Sequence, residues 1–167
     1  MARPGRPNNP SDPRVDNISF DIEKHDNEKV KQLLAIAGID AYDRYLRTAL
    51  IWAACYNNTD LLNWLIANSA NTNHQDISGF SALHFAGQNK NEEVAKILIE
   101  YGADLELRDI HGNTPIFTAI FNSKYDFRLV KLYVKHGASL DNLNKYQKTP
   151  RQLAEIIAGF DLNSLSL

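Results

Sequence analysis

The sequence predicts a mainly α fold, an elongated solenoid in which antiparallel helix pairs stack side by side and short β-hairpin loops connect them. Two observations lead to this prediction. The chain of 167 residues repeats itself with a period of 33 residues, and each full copy carries the start signals of two helices in the same register. One such pair cannot bury its own apolar face, whereas three or more stacked pairs share a continuous core.

The repeat divides the chain into segments. Copies begin at Asp43, Asp76 and Asp109, and an incomplete fourth copy begins at Asn144 because the third copy holds two extra residues between its helices. Prolines crowd the first residues, a composition that cannot pack a core. We therefore predict a flexible proline-rich tail over 1–14, a degenerate N-terminal capping repeat over 15–42, repeats over 43–75, 76–108 and 109–143, and an incomplete C-terminal repeat or cap over 144–167.

Helix boundaries follow from side-chain chemistry. The first helix of each copy begins after a hydroxyl-bearing residue, which can accept a hydrogen bond from an amide of the first turn. A proline follows in the last two copies, where the helix needs no amide donor. The second helices begin after an amide or hydroxyl side chain and end at glycine. These signals are Thr48, Ser81, Thr114 and Thr149, then Pro115 and Pro150, then Asn58 or Thr59 and Asn91, and finally Gly102 and Gly137.

Composition excludes several classes of protein. The formal net charge of −2 gives no overall reason to expect nucleic acid or an anionic membrane as partner. The single cysteine, Cys55, cannot form an internal disulfide, so we expect a reducing, cytoplasmic location. The longest apolar run, Ala49–Cys55, is far shorter than the roughly 20 residues of a transmembrane helix, and no secretory signal is recognisable.

No group of residues has the spacing of a catalytic or cofactor site. The five histidines are scattered over different copies, and none is spaced to bind a metal together with carboxylates or with Cys55. No glycine-rich loop of the phosphate-binding kind occurs. We therefore expect no catalytic residue, no metal, no cofactor and no small-molecule substrate, and we expect that the chain is not an enzyme.

Each copy resembles the ankyrin repeat, which has an Asp-x-x-Gly-x-Thr-Pro-Leu-His opening and a Gly-Ala pair before its hairpin. The resemblance covers roughly residues 43–157. The first copy departs from it, with Leu46 for the turn glycine, Ala49 for proline, Ile51 for histidine and Ser69 for the hairpin glycine. The matching residues are Gly112, Thr114, Pro115, Ile116, Ala119, Gly137 and Ala138 in the third copy, and Gly79, Leu83, His84, Ala86, Gly102 and Ala103 in the second.

The resemblance implies a concave partner-binding side, made by the hairpin tips and the outward positions of each first helix. We call this set the concave surface. It consists of Arg44, Tyr45, Arg47, Tyr56 and Gln75 in the first copy, Ile77, Ser78, Phe80, Gln88, Asn89 and Arg108 in the second, Ile110, His111, Asn113 and Phe121 in the third, and Lys145, Tyr146 and Lys148 in the fourth, with Cys55 and Asn122 beside them.

Aromatic, aliphatic and basic residues dominate the concave surface, and no acid belongs to it. Such residues are enriched in the centres of protein interfaces. Acids such as Glu92, Glu93 and Glu100 fall on a second helix, toward the convex back. We therefore hypothesise a partner that is a folded protein with an acidic patch, attracted by complementary charge.

The predicted function is a non-enzymatic protein–protein interaction module that binds one folded partner through its concave face. Because the chain is almost entirely repeat, we expect a stand-alone inhibitor or antagonist, and a bacterial immunity protein that neutralises a cognate toxin is one specific form of this. One alternative is nucleic-acid binding, with bases stacked in a basic aromatic groove, although the resemblance argues against it. Another is self-association through the exposed apolar residues.

Overall fold

A computed structural model describes residues 12–124 and 126–158, and within these the chain is a row of helix pairs. Residues 1–11 of the predicted tail and 159–167 of the predicted C-terminal cap lie outside the described residues. A 3-10 helix, Pro13–Val15, is followed by α1 (Ile18–Glu23), α2 (Asn27–Ala37), α3 (Ala49–Cys55), α4 (Thr59–Ala67), α5 (Ala82–Asn89), α6 (Glu92–Glu100), α7 (Pro115–Asn122), α8 (Arg128–Lys135) and α9 (Pro150–Ala158).

The helices form two layers. The inner layer consists of α1, α3, α5, α7 and α9, each packed on the next, and α4, α6 and α8 pack in the same way as an outer layer. Within a copy the two helices pack against each other and are connected by a short turn. The predicted solenoid of stacked helix pairs is confirmed.

The core lies between the two layers and is continuous from the first helix pair to the last. It is built from aliphatic side chains at the same positions of successive copies. Leu50 and Leu83, for example, are equivalent residues of α3 and α5, and each is about 1% exposed. Because burial of apolar surface contributes roughly 25 cal/mol per Å², this shared core provides most of the stability that an isolated pair lacks.

The predicted start signals cap the helices with one exception. The hydroxyl of Thr48 accepts from the Ile51 amide at 3.4 Å, and the side chains of Asn58 and Asn91 cap α4 and α6. Thr114 occupies the expected position before α7, but its hydroxyl is buried and makes no hydrogen bond within the described residues. The prediction that this hydroxyl caps the helix is therefore wrong.

The hairpin loops are tight turns, and among the described residues they contain one isolated bridge, between Tyr42 and Thr48, and no β-strand. Each tip closes with two backbone bonds, such as the Asp76 amide to the Phe80 carbonyl oxygen at 2.9 Å and the Gly79 amide to the Asp76 carbonyl oxygen at 2.8 Å. Bonds confined to one turn are too short a ladder to form a strand. The first copy makes the same turn without glycine, since Leu46 there has a φ of 60°.

The described residues include the end of the segment assigned to the tail, 12–14. The Asp12 amide donates to the Tyr42 carbonyl oxygen at 3.3 Å, and the Asp12 side chain accepts from the Arg14 amide at 2.9 Å to begin the 3-10 helix. Val15, which follows, is 1% exposed. These contacts attach residues 12–15 to the first helix pair.

Candidate functional site

A row of buried acidic or amide side chains shapes the four hairpin tips. The Asp76 carboxylate accepts from the backbone amides of Ser78 at 2.8 Å and Phe80 at 2.9 Å. Asp43, Asp109 and Asn144 accept from the amides two and four residues later in the same way. Since these amides would otherwise lack partners, the repeated acid or amide fixes each tip in one conformation.

Backbone hydrogen bonds connect each tip to the next. The Ile77 amide donates to the Tyr45 carbonyl oxygen at 2.9 Å, and the Ile110 amide donates to the Ser78 carbonyl oxygen at 3.0 Å. The Lys145 amide donates to the His111 carbonyl oxygen at 2.9 Å. The tips thus form one row, and the residues predicted at their outer positions are neighbours in space.

A groove of about 530 Å³ lies between the second and third copies. Its walls are two tips and the inner helices α5 and α7, and its lining is largely apolar. Seven residues of the predicted concave surface meet here, together with Asn122. The lining residues are Ser78, Phe80, Gln88, Asp109, Ile110, His111, Asn113, Phe117, Thr118, Phe121 and Asn122. We call this the aromatic groove.

Three lining residues were not predicted: Asp109, Phe117 and Thr118. Phe117 stands at the position that His84 occupies in the second copy, and that position was interpreted as scaffold. A signal was available, because Phe117 lies four residues before Phe121 and therefore on the same helix face. Asp109 is 6% exposed and shapes the tip, so it contributes structure to the groove rather than a free charge.

The other predicted residues lie along the tips and inner helices on either side of the groove. Tyr45, Ile77 and Tyr146 are exposed by 47%, 51% and 65%, respectively. Neighbouring residues that face solvent are seldom as apolar as these three. The residues placed outside the groove are Arg44, Tyr45, Arg47, Tyr56, Gln75, Ile77, Asn89, Arg108, Lys145, Tyr146 and Lys148.

Several of these residues also hold the scaffold together. Nε of Arg47 donates to the carboxylate of Asp76, which is buried, at 3.1 Å, and its guanidinium lies 4.7 Å from the centre of the Trp52 ring. The Gln75 side-chain amide donates to the Arg108 carbonyl oxygen at 3.0 Å. The Asn89 side chain donates to the Cys55 carbonyl oxygen at 2.9 Å. Of these residues, Arg47 has the strongest structural role, because the Asp76 carboxylate that it pairs with is a buried charge.

The remaining basic residues keep their charge at the surface. Arg44 stacks on Tyr45, with the guanidinium 5.2 Å from the ring centre. The guanidinium of Arg108 donates to the Leu143 carbonyl oxygen at 2.7 Å, and Lys145 Nζ donates to the Ile110 carbonyl oxygen at 2.5 Å. These acceptors are neutral backbone carbonyls, so the bonds hold the side chains in place without pairing them with an acid.

His84 connects the second and third copies. Its Nδ1 accepts from the Ser81 amide at 3.1 Å and contacts the Ser81 hydroxyl at 2.9 Å, while Nε2 donates to the Asn113 carbonyl oxygen at 3.1 Å. Burial lowers the pKa of His84 below its ordinary value of 6.5. A neutral, fully bonded ring of this kind holds two repeats together and does not transfer protons.

Reactive groups do not cluster in the part of the chain that the structure describes. Burial raises the pKa of the Cys55 thiol, which disfavours the reactive thiolate. No three of the histidine, cysteine and acidic side chains over 12–124 and 126–158 lie close enough to hold a metal ion. Among the same residues no helix combines the length and apolar character needed to cross a bilayer.

Comparison with known proteins agrees with this geometry. A family model described as ankyrin repeats, in three copies, matches residues 19–109, more than half of the chain. The chain is 31% identical over 116 residues to the E3 ubiquitin-protein ligase Ufd4 of Drosophila melanogaster, an alignment that covers 68% of this chain and 4% of the ligase.

Two further relatives are similar over shorter stretches. The B-cell lymphoma 3 protein homolog of Mus musculus is 37% identical over 84 residues, which is 50% of this chain and 19% of that protein. An ankyrin repeat protein of Rickettsia bellii is 35% identical over 79 residues, covering 47% and 33%. The chain thus spans a third or less of each relative. Ankyrin repeats are generic protein–protein interaction modules with no catalytic activity of their own, and this chain belongs to the ankyrin-repeat family.

Proposed function

We propose that the chain binds one folded protein through its concave surface and acts by occlusion or tethering, as an inhibitor does, without catalysis. The observation that supports this proposal is the aromatic groove and the apolar residues beside it. Ile77, Ile110 and Phe121 are exposed by 51%, 48% and 66% on neighbouring elements. Adjacent exposed apolar side chains of this kind mark protein interaction sites more often than inert surface.

The charges around the groove favour an acidic partner. Arg44, Arg108, Lys145 and Lys148 are exposed, and the acid that lines the groove, Asp109, is buried and bonded to the tip amides. A negatively charged patch on the partner would therefore be attracted at long range and would meet no free carboxylate in the groove. The single cysteine, Cys55, fits action in a reducing compartment such as the cytoplasm.

The test of this proposal uses charge reversal at two exposed positions. The chain is used to capture partners from a lysate, and the captured protein is purified and titrated at several salt concentrations. Arg44→Glu with Lys148→Glu should lower the association rate about tenfold and flatten its salt dependence. Lys135→Glu, an exposed position of α8 on the outer layer, is the control.

Equal affinity of the double variant and the control would show that the partner uses another surface. Retention of single-stranded DNA or RNA at low salt, without any protein partner, would replace the proposal with nucleic-acid binding. A mass that grows with concentration in light scattering would indicate self-association instead.

A further inference from the structure

The third copy lacks the bridge that joins the second copy to its neighbour. In the second copy His84 bonds both Ser81 and the carbonyl of the following tip. In the fourth copy Gln152 occupies the same position, and its side-chain oxygen accepts from the Thr149 amide at 3.2 Å. The third copy has Phe117 there, which makes no polar contact and lines the aromatic groove.

The third copy also has an unsatisfied polar group next to the groove. Thr114 is 2% exposed, and its hydroxyl has no hydrogen-bond partner within the described residues. A buried hydroxyl without a partner destabilises a protein, and such breaks of local packing rules concentrate at functional sites. Phe117 provides an apolar wall here, whereas a histidine at its position could bond the hydroxyl as His84 bonds Ser81.

The groove that results has an apolar floor and free polar groups at its edge. Phe80, Phe117 and Phe121 supply three aromatic rings, and Ile110 adds an aliphatic side chain. The side-chain amide of Gln88 is exposed and bonds to nothing in the described part of the chain. An apolar side chain of a partner could pack on the rings while its backbone bonds this amide.

A cation stands beside this groove. Lys145 Nζ is held at the carbonyl oxygen of Ile110, a lining residue, and the acid that lines the groove, Asp109, is buried. Arg47 lies near Phe85 on the other side, but its charge is paired with Asp76. An acidic residue next to an apolar anchor would be complementary to this arrangement.

We propose that the aromatic groove accepts an aromatic or branched aliphatic side chain carried on an acidic segment of the partner protein. This inference rests on the protein-binding role proposed above and assigns the anchor of that interface. Phe117 and Phe121 are the specificity-determining residues, since in the second copy the equivalent positions carry His84 and Gln88. An interface of this kind concentrates most of its binding energy on one buried anchor.

The first experiment selects displayed random peptides on the immobilised full chain. The enriched peptides should share an aromatic or branched aliphatic residue with aspartate or glutamate next to it. Enrichment of basic peptides, of peptides without an apolar anchor, or of none at all would overturn the proposal.

The second experiment measures one enriched peptide by fluorescence anisotropy against variants that borrow residues from the second copy. Phe117→His and Phe121→Gln should each weaken binding about tenfold or more. Phe117→His should also keep or raise the melting temperature, because histidine can bond the Thr114 hydroxyl as His84 bonds Ser81. Phe20→Gln, on a phenylalanine of α1 that is 60% exposed, should leave affinity unchanged.

The two proposals fail in distinguishable ways. If the captured protein responds to Arg44→Glu with Lys148→Glu but not to either phenylalanine variant, the groove is not the anchor and the concave surface still is the binding face. If Phe117→His weakens binding only because it lowers the melting temperature, the anchor role is wrong. If no variant of the concave surface alters capture, both proposals are wrong.

Discussion

A pair of glycine substitutions tests how closely the hairpin tips pack. Gly79 lies in the tip of the second copy with a φ of +76°, and a Cβ added there would stand 2.8 Å from the Asp109 Cα and 3.0 Å from the Ile110 nitrogen. Gly102 has nearly the same φ, +78°, but a Cβ there would meet no atom within 4 Å. Gly79→Ala and Gly102→Ala thus share the backbone strain and differ in the steric clash.

The expected magnitudes follow from these two terms. Alanine at positive φ costs about 1 kcal/mol relative to glycine, so Gly102→Ala should lower the free energy of unfolding by that amount. The atoms that a Cβ at Gly79 would strike are backbone and cannot rotate away. Overpacking of this kind adds about 1–3 kcal/mol, which gives about 2–4 kcal/mol in total for Gly79→Ala. The melting temperature falls by roughly 2–4 °C per kcal/mol in a chain of this size.

Urea unfolding followed by far-ultraviolet circular dichroism measures both free energies. The slope of free energy against urea concentration must be equal in the two variants, since a change in slope would indicate uncoupling of repeats rather than a simple loss of stability. Equal losses for the two variants would refute the close contact between the second and third tips, and with it the position of Ile110 at the groove.

Three further substitutions test single contacts. His84 is neutral when folded because burial lowers its pKa. Its stabilising contribution is therefore complete above the ordinary pKa of 6.5 and is lost as the pH falls from there toward the folded pKa. Between about pH 7.5 and 5.5, the melting temperature of His84→Gln should fall less than that of the unsubstituted chain. Tyr133→Phe removes the buried hydrogen bond to the Leu83 carbonyl oxygen, 2.8 Å long, and should cost about 0.5–1.5 kcal/mol in urea unfolding. Asn58→Ala removes the cap of α4 and the 3.1 Å bond to the Ile22 carbonyl oxygen, and should cost about 2 kcal/mol or more by the same measurement.

The helix pairs were predictable from sequence because their signals are local and repeated. Ser81 and Asn91 start α5 and α6, and Gly102 follows the last residues of α6, each within the range that capping chemistry indicates. The conformation of the tip in the first copy could not be predicted in this way, because that tip has no glycine. Leu46 adopts a φ of 60° there, since the neighbouring tip and the Asp43 side chain hold the backbone in a conformation that leucine alone disfavours.

The groove could be predicted only in part. Repeat register indicates which side chains face the concave side, and seven of those predicted do line the groove. Register does not indicate where adjacent copies leave a space, because that depends on how far each side chain reaches toward the next copy. His84 bonds the Asn113 carbonyl oxygen of the next tip, whereas Phe117 at the equivalent position makes no polar contact and lines the groove. The position was interpreted as scaffold from His84, and that interpretation does not apply to Phe117.

The distribution of charge differs in detail from the one predicted from sequence. Among the basic residues assigned to the concave surface, Arg47 is neutralised by buried Asp76, so Arg47→Glu would place a second carboxylate beside a buried one and unfold the tip. Loss of binding in that variant would report on folding and not on the partner. The outer layer is also less acidic than expected, because α8 carries Arg128, Lys131 and Lys135 opposite the acids of α6. A test of attraction between the concave surface and an acidic partner therefore needs exposed cations whose removal leaves the scaffold intact. Arg44 and Lys148 are exposed and pair with no buried acid of the described residues, so the charge reversal is placed at these two positions.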